Sequence, residues 1–71
     1  MKTVYEVLKS MAERERRIAA KYSDRAEAES YRAGKAVFLQ MVRNSLEEAQ
    51  ALERSIAYLP INVGKSEVKI D

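Results

Sequence analysis

The part of the sequence that ends at Leu59 contains no proline and a single glycine, Gly34. Proline interrupts a helix because it has no N–H to donate and its ring clashes with the preceding turn. A stretch of this length without proline can be helical throughout, and it is rich in Ala, Glu, Arg, Leu, Lys and Met, which lose little side-chain freedom in a helix. Pro60 opens a segment with several β-branched residues. We therefore expect an all-α hairpin domain over residues 1–59 and an extended or flexible C-terminal tail over residues 60–71.

Two parts of this domain carry apolar residues at steps of four and three. In the first part they are Val4, Leu8, Met11, Ile18 and Tyr22, and Glu15 is the one charged residue in the series. In the second part they are Tyr31, Phe38, Val42, Ala49, Leu52, Ile56 and Leu59, and the polar positions are Lys35 and Ser45. This spacing lines one face of a helix. Each part therefore predicts an amphipathic helix.

Two pairs of residues have the spacing of a helix capping box, in which each side chain satisfies the other's backbone N–H. They are Thr3 with Glu6 and Asp24 with Glu27. The pairs place one helix start near residue 3 and the second near residue 24, with a tight turn between them at Ser23. We therefore expect an antiparallel two-helix hairpin with a short first helix and a long second helix.

A second topology breaks the chain at Gly34, with helices over residues 3–32 and 36–59. It makes the helices more equal in length and uses glycine near a helix C-terminus, where it is favoured. The first topology is preferred, because Lys35 and Ala36 are poor residues for a helix start. In that topology Glu15 lies opposite Lys35, which predicts an ion pair between the helices.

The preferred hairpin also predicts self-association. The second helix extends beyond the first, so that three of its apolar residues lack a partner within the chain, and further apolar residues widen the contact strip. A homodimer that forms a four-helix bundle would cover them. The predicted interface residues are Val7, Val37, Met41, Leu46, Leu52, Ile56 and Leu59. The alternative is a monomer whose tail folds back over the end of the second helix.

The chain has neither cysteine nor histidine. This excludes disulfides, Cys/His zinc sites, thiolate nucleophiles and imidazole bases. Carboxylates are the remaining catalytic groups, and a helical hairpin with inward acids resembles the rubrerythrin and ferritin group in its helix pattern. That group holds two irons with a Glu and a Glu-x-x-His sequence. At the comparable place this chain reads Glu47-Glu48-Ala49-Gln50, so the resemblance carries over no metal ligands, and we expect no cofactor.

Basic residues are concentrated near the predicted turn. They could contact phosphates without reading base sequence, or they could be a solvated surface paired with nearby glutamates. The candidate nucleic-acid contacts are Arg14, Arg17, Lys21, Arg25, Arg32 and Lys35.

These observations favour a small, non-catalytic binding, adaptor or regulatory protein that self-associates through helix packing. The first alternative is a nucleic-acid-binding dimer, and the second is a carboxylate-metal site inside the bundle. The tail could bind a protein partner as an added strand, since Ile61 and Val63 alternate with polar residues, as do Val68 and Ile70. No stretch is long and apolar enough to span a bilayer, so we expect no membrane association. Glu6 and Lys9 would interrupt the apolar core of a signal peptide, which leads us to expect a cytoplasmic protein.

Overall fold

The computed structural model describes residues 2–67, which form two long helices and one short one. They are α1 (Val4–Ala28), α2 (Arg32–Tyr58) and α3 (Ile61–Gly64). The helices α1 and α2 pack against each other along their length, and α3 touches α1. The predicted all-helical hairpin is confirmed for this part of the chain.

Helix α1 begins where its capping residues predict. The hydroxyl of Thr3 accepts a hydrogen bond of 3.3 Å from the backbone N–H of Glu6, and it donates one of 3.2 Å to the carboxylate of Glu6. The backbone N–H of Val4 donates a hydrogen bond of 2.9 Å to the carbonyl of Ser66, a residue distant in the sequence. These contacts supply partners for N–H groups that a helix N-terminus leaves unsatisfied.

The predicted turn at Ser23 and Asp24 is wrong, because α1 continues through both residues to Ala28. The chain turns at residues 29–31 instead. Tyr31 caps α2 without a side-chain hydrogen bond of its own, and its backbone N–H donates to the carboxylate of Glu29 at 3.1 Å. Glu29 therefore stabilises the turn with a contact two residues along the chain, which a search for capping boxes does not detect.

The predicted inequality of the helices is also wrong. Helix α1 has 25 residues and α2 has 27, so α2 does not extend far beyond its partner. Leu52, Ile56 and Leu59 are partly buried within the chain, and the hydroxyl of Tyr5 donates to the carbonyl of Leu59 at 3.1 Å. Because the chain turns at residues 29–31, the two helices are nearly equal in length, as the alternative topology predicts. Gly34 lies inside α2, as the preferred topology predicts.

The pairing of the helices differs from the predicted one by three helical turns. Phe38 stacks on Tyr22, with 6.1 Å between the ring centroids, whereas the early turn would place it opposite Met11. The same shift separates Glu15 from Lys35, so the predicted ion pair between them is wrong. A shift of eleven residues is about three turns of helix. Such a shift keeps the same stripe of α2 facing inward, which is why the apolar pattern alone cannot determine the pairing.

The buried residues between α1 and α2 are all small. They are Ala12, Ala19 and Ala26 of α1, and Ser45 and Ala49 of α2. The three alanines are spaced at two-turn intervals, one position after Met11, Ile18 and Arg25, so α1 is rotated from its predicted orientation. Small side chains let two helix backbones approach closely. The larger apolar residues lie beside this contact, and no large side chain in the described part is fully buried.

The C-terminal segment folds back onto the start of α1. Residues 61–64 form the helical turn α3 rather than the expected strand, and Glu67 makes an isolated antiparallel bridge with Thr3. Gly64 is buried against the ring of Tyr5. The expectation of an extended tail is therefore wrong for residues 61–64, and its second apolar alternation, Val68 and Ile70, lies outside the described residues.

Candidate functional site

The two-helix arrangement leaves both broad sides of the hairpin open. We define the groove face as the side that carries Arg16, Ala20, Leu39 and Leu46. The opposite side, the aromatic face, carries Tyr22, Phe38, Val37, Met41 and Met11. This division follows from helical spacing together with the contacts between the helices described below.

The groove face has two shallow depressions, because small residues of α1 leave space beside α2. One has a volume of about 290 Å³ and is lined by Arg16, Ala19, Ala20, Ser23, Val42 and Leu46. The other has a volume of about 180 Å³ and is lined by Ser23, Ala26, Glu27, Lys35 and Leu39. Both are open to solvent and lack a converging set of polar groups, unlike the enclosed sites that usually bind small molecules.

An ion pair crosses the groove face from α1 to α2. Arg16 donates two hydrogen bonds to the carboxylate of Glu53, at 2.8 Å from Nε and 2.6 Å from Nη2. These hydrogen bonds lower the pKa of Glu53 and raise the pKa of Arg16. Both side chains are about half exposed, so solvent and salt weaken the pair. Its two-pronged geometry still favours one pairing of the helices over another.

We expect the variant Glu53→Gln to be less stable than the unmodified chain at neutral pH and equally stable at low pH. Because Arg16 lowers the folded-state pKa of Glu53, the pair stabilises the hairpin above the unfolded-state pKa. That stabilisation is lost as the pH falls through the folded-state pKa. Urea unfolding between pH 3 and pH 7 measures the difference. Glu47→Gln is the control, since Glu47 is exposed on the same helix, and an equal pH-dependent loss in that variant would contradict the assignment.

The aromatic face carries large apolar side chains, and helical spacing places the partly buried Glu15 among them. The rings of Tyr22 and Phe38 stack at an angle of 20°. Beside them Val37 is 59% exposed and, further along the hairpin, Met11 is 47% exposed. Ile18, Val7 and Met41 are partly buried. The single ion pair found among residues 2–67 lies on the other face.

The predicted interface residues do not share one surface. Helical spacing places Val7, Val37 and Met41 on the aromatic face and Leu46 on the groove face, where it lines a depression. The other three belong to the end of α2 and pack partly within the chain; they are Leu52, Ile56 and Leu59. Because α2 is only two residues longer than α1, no overhang leaves these three residues without a partner within the chain.

The candidate nucleic-acid contacts are exposed on two separate parts of the hairpin. Arg14, Arg17, Lys21 and Arg25 follow one another at helical spacing along the outer side of α1. Arg32 and Lys35 belong to the start of α2, and Lys35 lines a depression on the groove face. The late turn places Arg14 far from both along the hairpin axis, whereas Arg25 lies in the last turn of α1, near the connection.

Neither a metal-binding cluster nor a helix suited to crossing a membrane occurs among the described residues. Within residues 2–67, no three acidic side chains come together in a group that could hold a metal ion. None of the helices found in this part combines the length and the apolar character that crossing a membrane requires.

Sequence reasoning missed the two features that determine how the helices pack. The alanines Ala12, Ala19 and Ala26 recur at every seventh position, a signal that is visible in the sequence, whereas the apolar pattern predicts a contact through their larger neighbours. The pair of Arg16 and Glu53 is separated by 37 positions, and it has no local signature.

Comparison of the chain with protein-family models, curated proteins and solved structures gives no match. The functional inference therefore rests on the hairpin and its two open faces.

Proposed function

We propose that this chain is a small, non-catalytic binding protein that acts through its open hairpin faces and self-associates into a four-helix bundle. The observation that carries this proposal is the composition of the buried layer between α1 and α2, which consists of alanine and serine. A layer of this kind buries little apolar area, and isolated helix pairs rarely repay the entropy lost on ordering them. Packing against a second helical surface would supply the missing burial.

The dimensions of the hairpin support the same proposal. Its radius of gyration is 15.6 Å, compared with about 11 Å for a compact domain of this length. Its accessible surface is 5647 Å², whereas a compact monomer of 8.1 kDa exposes about 4,500 Å². The excess, about 1,100 Å², is similar to the roughly 800 Å² that each partner buries in a stable interface.

Sedimentation equilibrium at micromolar concentrations tests this proposal. We expect a mass of twice 8.1 kDa, together with a melting temperature that rises with protein concentration, because association stabilises the folded state by mass action. A monomer whose melting temperature does not depend on concentration would contradict self-association.

A second candidate function is nucleic-acid binding through the outer side of α1. It is favoured by one observation, that Arg14, Arg17, Lys21 and Arg25 form one exposed row on a single helix. Phosphate contacts release counterions, so the logarithm of the affinity would fall linearly with the logarithm of the salt concentration. A salt titration with duplex DNA and with RNA separates this function from protein binding, and binding that does not change with salt would exclude it.

The proposal also includes a cytoplasmic location and the binding of a protein partner by the C-terminal tail. The fold depends on no disulfide, which suits the reducing cytoplasm, and cell fractionation tests this location. Binding of a protein partner by the tail would compete with the contacts that Ser66 and Glu67 make with the start of α1.

A further inference from the structure

We propose that the partner on the aromatic face is a second copy of this chain, packed with its long axis reversed. This inference deepens the proposed function and depends on the self-association stated there. The partner is a second copy of the chain, the interface is the aromatic face, and the orientation is antiparallel. A different observation supports each of these three statements.

The length and the exposed surface of the hairpin support a second copy as the partner. A second hairpin has the same length, 49 Å, and presents the same apolar strip, so a symmetric pair can cover both strips at once. In a two-fold dimer the same surface patch serves on both copies. The excess exposed surface estimated above is of the size that each partner of such a dimer buries.

The free energy of desolvation favours the aromatic face over the groove face as the interface. Covering the groove face would remove water from Arg16 and Glu53, and desolvation of a charge pair offsets much of its attraction. The aromatic face instead presents Val37 and Met11, which are 59% and 47% exposed. Burial of their apolar area is favourable in proportion to the area removed from water.

The distribution of charge along the hairpin supports the antiparallel orientation of the two copies. Residues 16–45, at the end that contains the connection, hold seven Lys and Arg against three Asp and Glu, a net charge of +4. The other described residues, 2–15 and 46–67, hold five against seven, a net charge of −2. The hairpin therefore has a positive end and a negative end.

Two arrangements place the aromatic faces of two copies against each other around a two-fold axis. An axis along the helices holds the two positive ends together, where like charges repel. An axis across the helices places the positive end of each copy against the negative end of the other. Complementary charge determines orientation in interfaces more than it adds affinity, so it selects the antiparallel dimer.

The first test compares two glutamate substitutions in sedimentation equilibrium. Val37 and Leu39 are both exposed apolar residues of α2, at 59% and 43%, on opposite faces. We expect Val37→Glu to weaken dimerisation at least tenfold, because it places a charge in an apolar interface contact. Leu39→Glu is expected to leave it within about threefold. Circular dichroism confirms that both variants remain helical.

The second test measures orientation by pulsed electron spin resonance. The chain contains no cysteine, so Ser30→Cys in the connection carries a single spin label. In the antiparallel dimer we expect a label separation comparable with the 49 Å length of the hairpin.

The outcomes of the two tests are distinct. A monomer in sedimentation overturns the proposed function itself. A dimer that Leu39→Glu disrupts and Val37→Glu does not would overturn the choice of face. A label separation within the 24 Å width of the hairpin would overturn the antiparallel orientation, and oligomers that continue to grow with concentration would overturn the two-fold dimer.

Discussion

Replacement of Ala49 with leucine is expected to destabilise the hairpin strongly. Ala49 is fully buried, with 0% of its surface exposed, and the small residues of α1 lie across from it. Extra methylene groups in a well-packed contact typically cost about 1–3 kcal/mol, and here they would force two backbones apart. We expect a loss of about 2–3 kcal/mol, and since 1 kcal/mol corresponds to about 4–8 °C in a domain of this size, the melting temperature would fall by roughly 10 °C or more.

The matched control is Ala51→Leu, because Ala51 is exposed on the same helix. Leucine and alanine are both strong helix formers, so this substitution should change stability by about 0.5 kcal/mol or less. Both variants are measured at one protein concentration, since association shifts the melting temperature. Equal melting temperatures for the two variants would mean that the alanine layer does not set the distance between the helices.

Replacement of Gly64 with alanine is expected to detach the C-terminal segment from α1. A Cβ atom at this position would lie 2.1 Å from the ring of Tyr5, a distance that requires the ring or α3 to move. The movement would disturb the hydrogen bond of Tyr5 to Leu59 and that of Val4 to Ser66. We expect a loss of about 1–3 kcal/mol, limited by the free energy with which the segment is docked.

Amide hydrogen exchange locates this effect. The N–H of Val4, which donates to Ser66, should exchange faster in Gly64→Ala, while the amides of the central turns of α1 and α2 keep their relative protection. Unchanged protection at Val4 would show that the ring accommodates the methyl group and that the segment stays docked.

Gly34→Ala provides a contrasting glycine substitution. The nearest atoms to a Cβ at this position are those of the Glu29 side chain, at 3.0 Å. This side chain can shift, at the expense of part of its hydrogen bond with the N–H of Tyr31. Alanine in a helix interior is favoured over glycine by about 1 kcal/mol. We therefore expect Gly34→Ala to be neutral or slightly stabilising, opposite in direction to Gly64→Ala.

Much of the secondary structure follows from local signals. The absence of proline before Pro60 predicts the helical body, and α2 ends at Tyr58, close to that residue. Thr3 caps α1 as its spacing with Glu6 predicts. Signals of this kind act over one or two turns, so they are readable wherever the local preference and the tertiary packing agree.

The same kind of signal is wrong at Asp24 and Glu27. Their spacing is that of a capping box, yet both are exposed in the last turns of α1. Continuation of the helix to Ala28 lets Ala26 join the buried layer and lets Glu29 accept the N–H of Tyr31. These gains come from packing and from the turn, and a local pattern does not report them.

Local sequence patterns predict that this chain forms amphipathic helices, where α1 begins and roughly where α2 ends. The sequence also excludes disulfides and every site that needs cysteine or histidine. The place of the turn, the pairing of the helices and the buried role of Ala12, Ala19 and Ala26 follow from long-range packing. A shift of three turns keeps the same stripe of α2 facing inward, so the apolar pattern is compatible with more than one pairing. The choice among such shifts depends on how closely the backbones approach and on contacts between residues distant in sequence, such as Arg16 and Glu53.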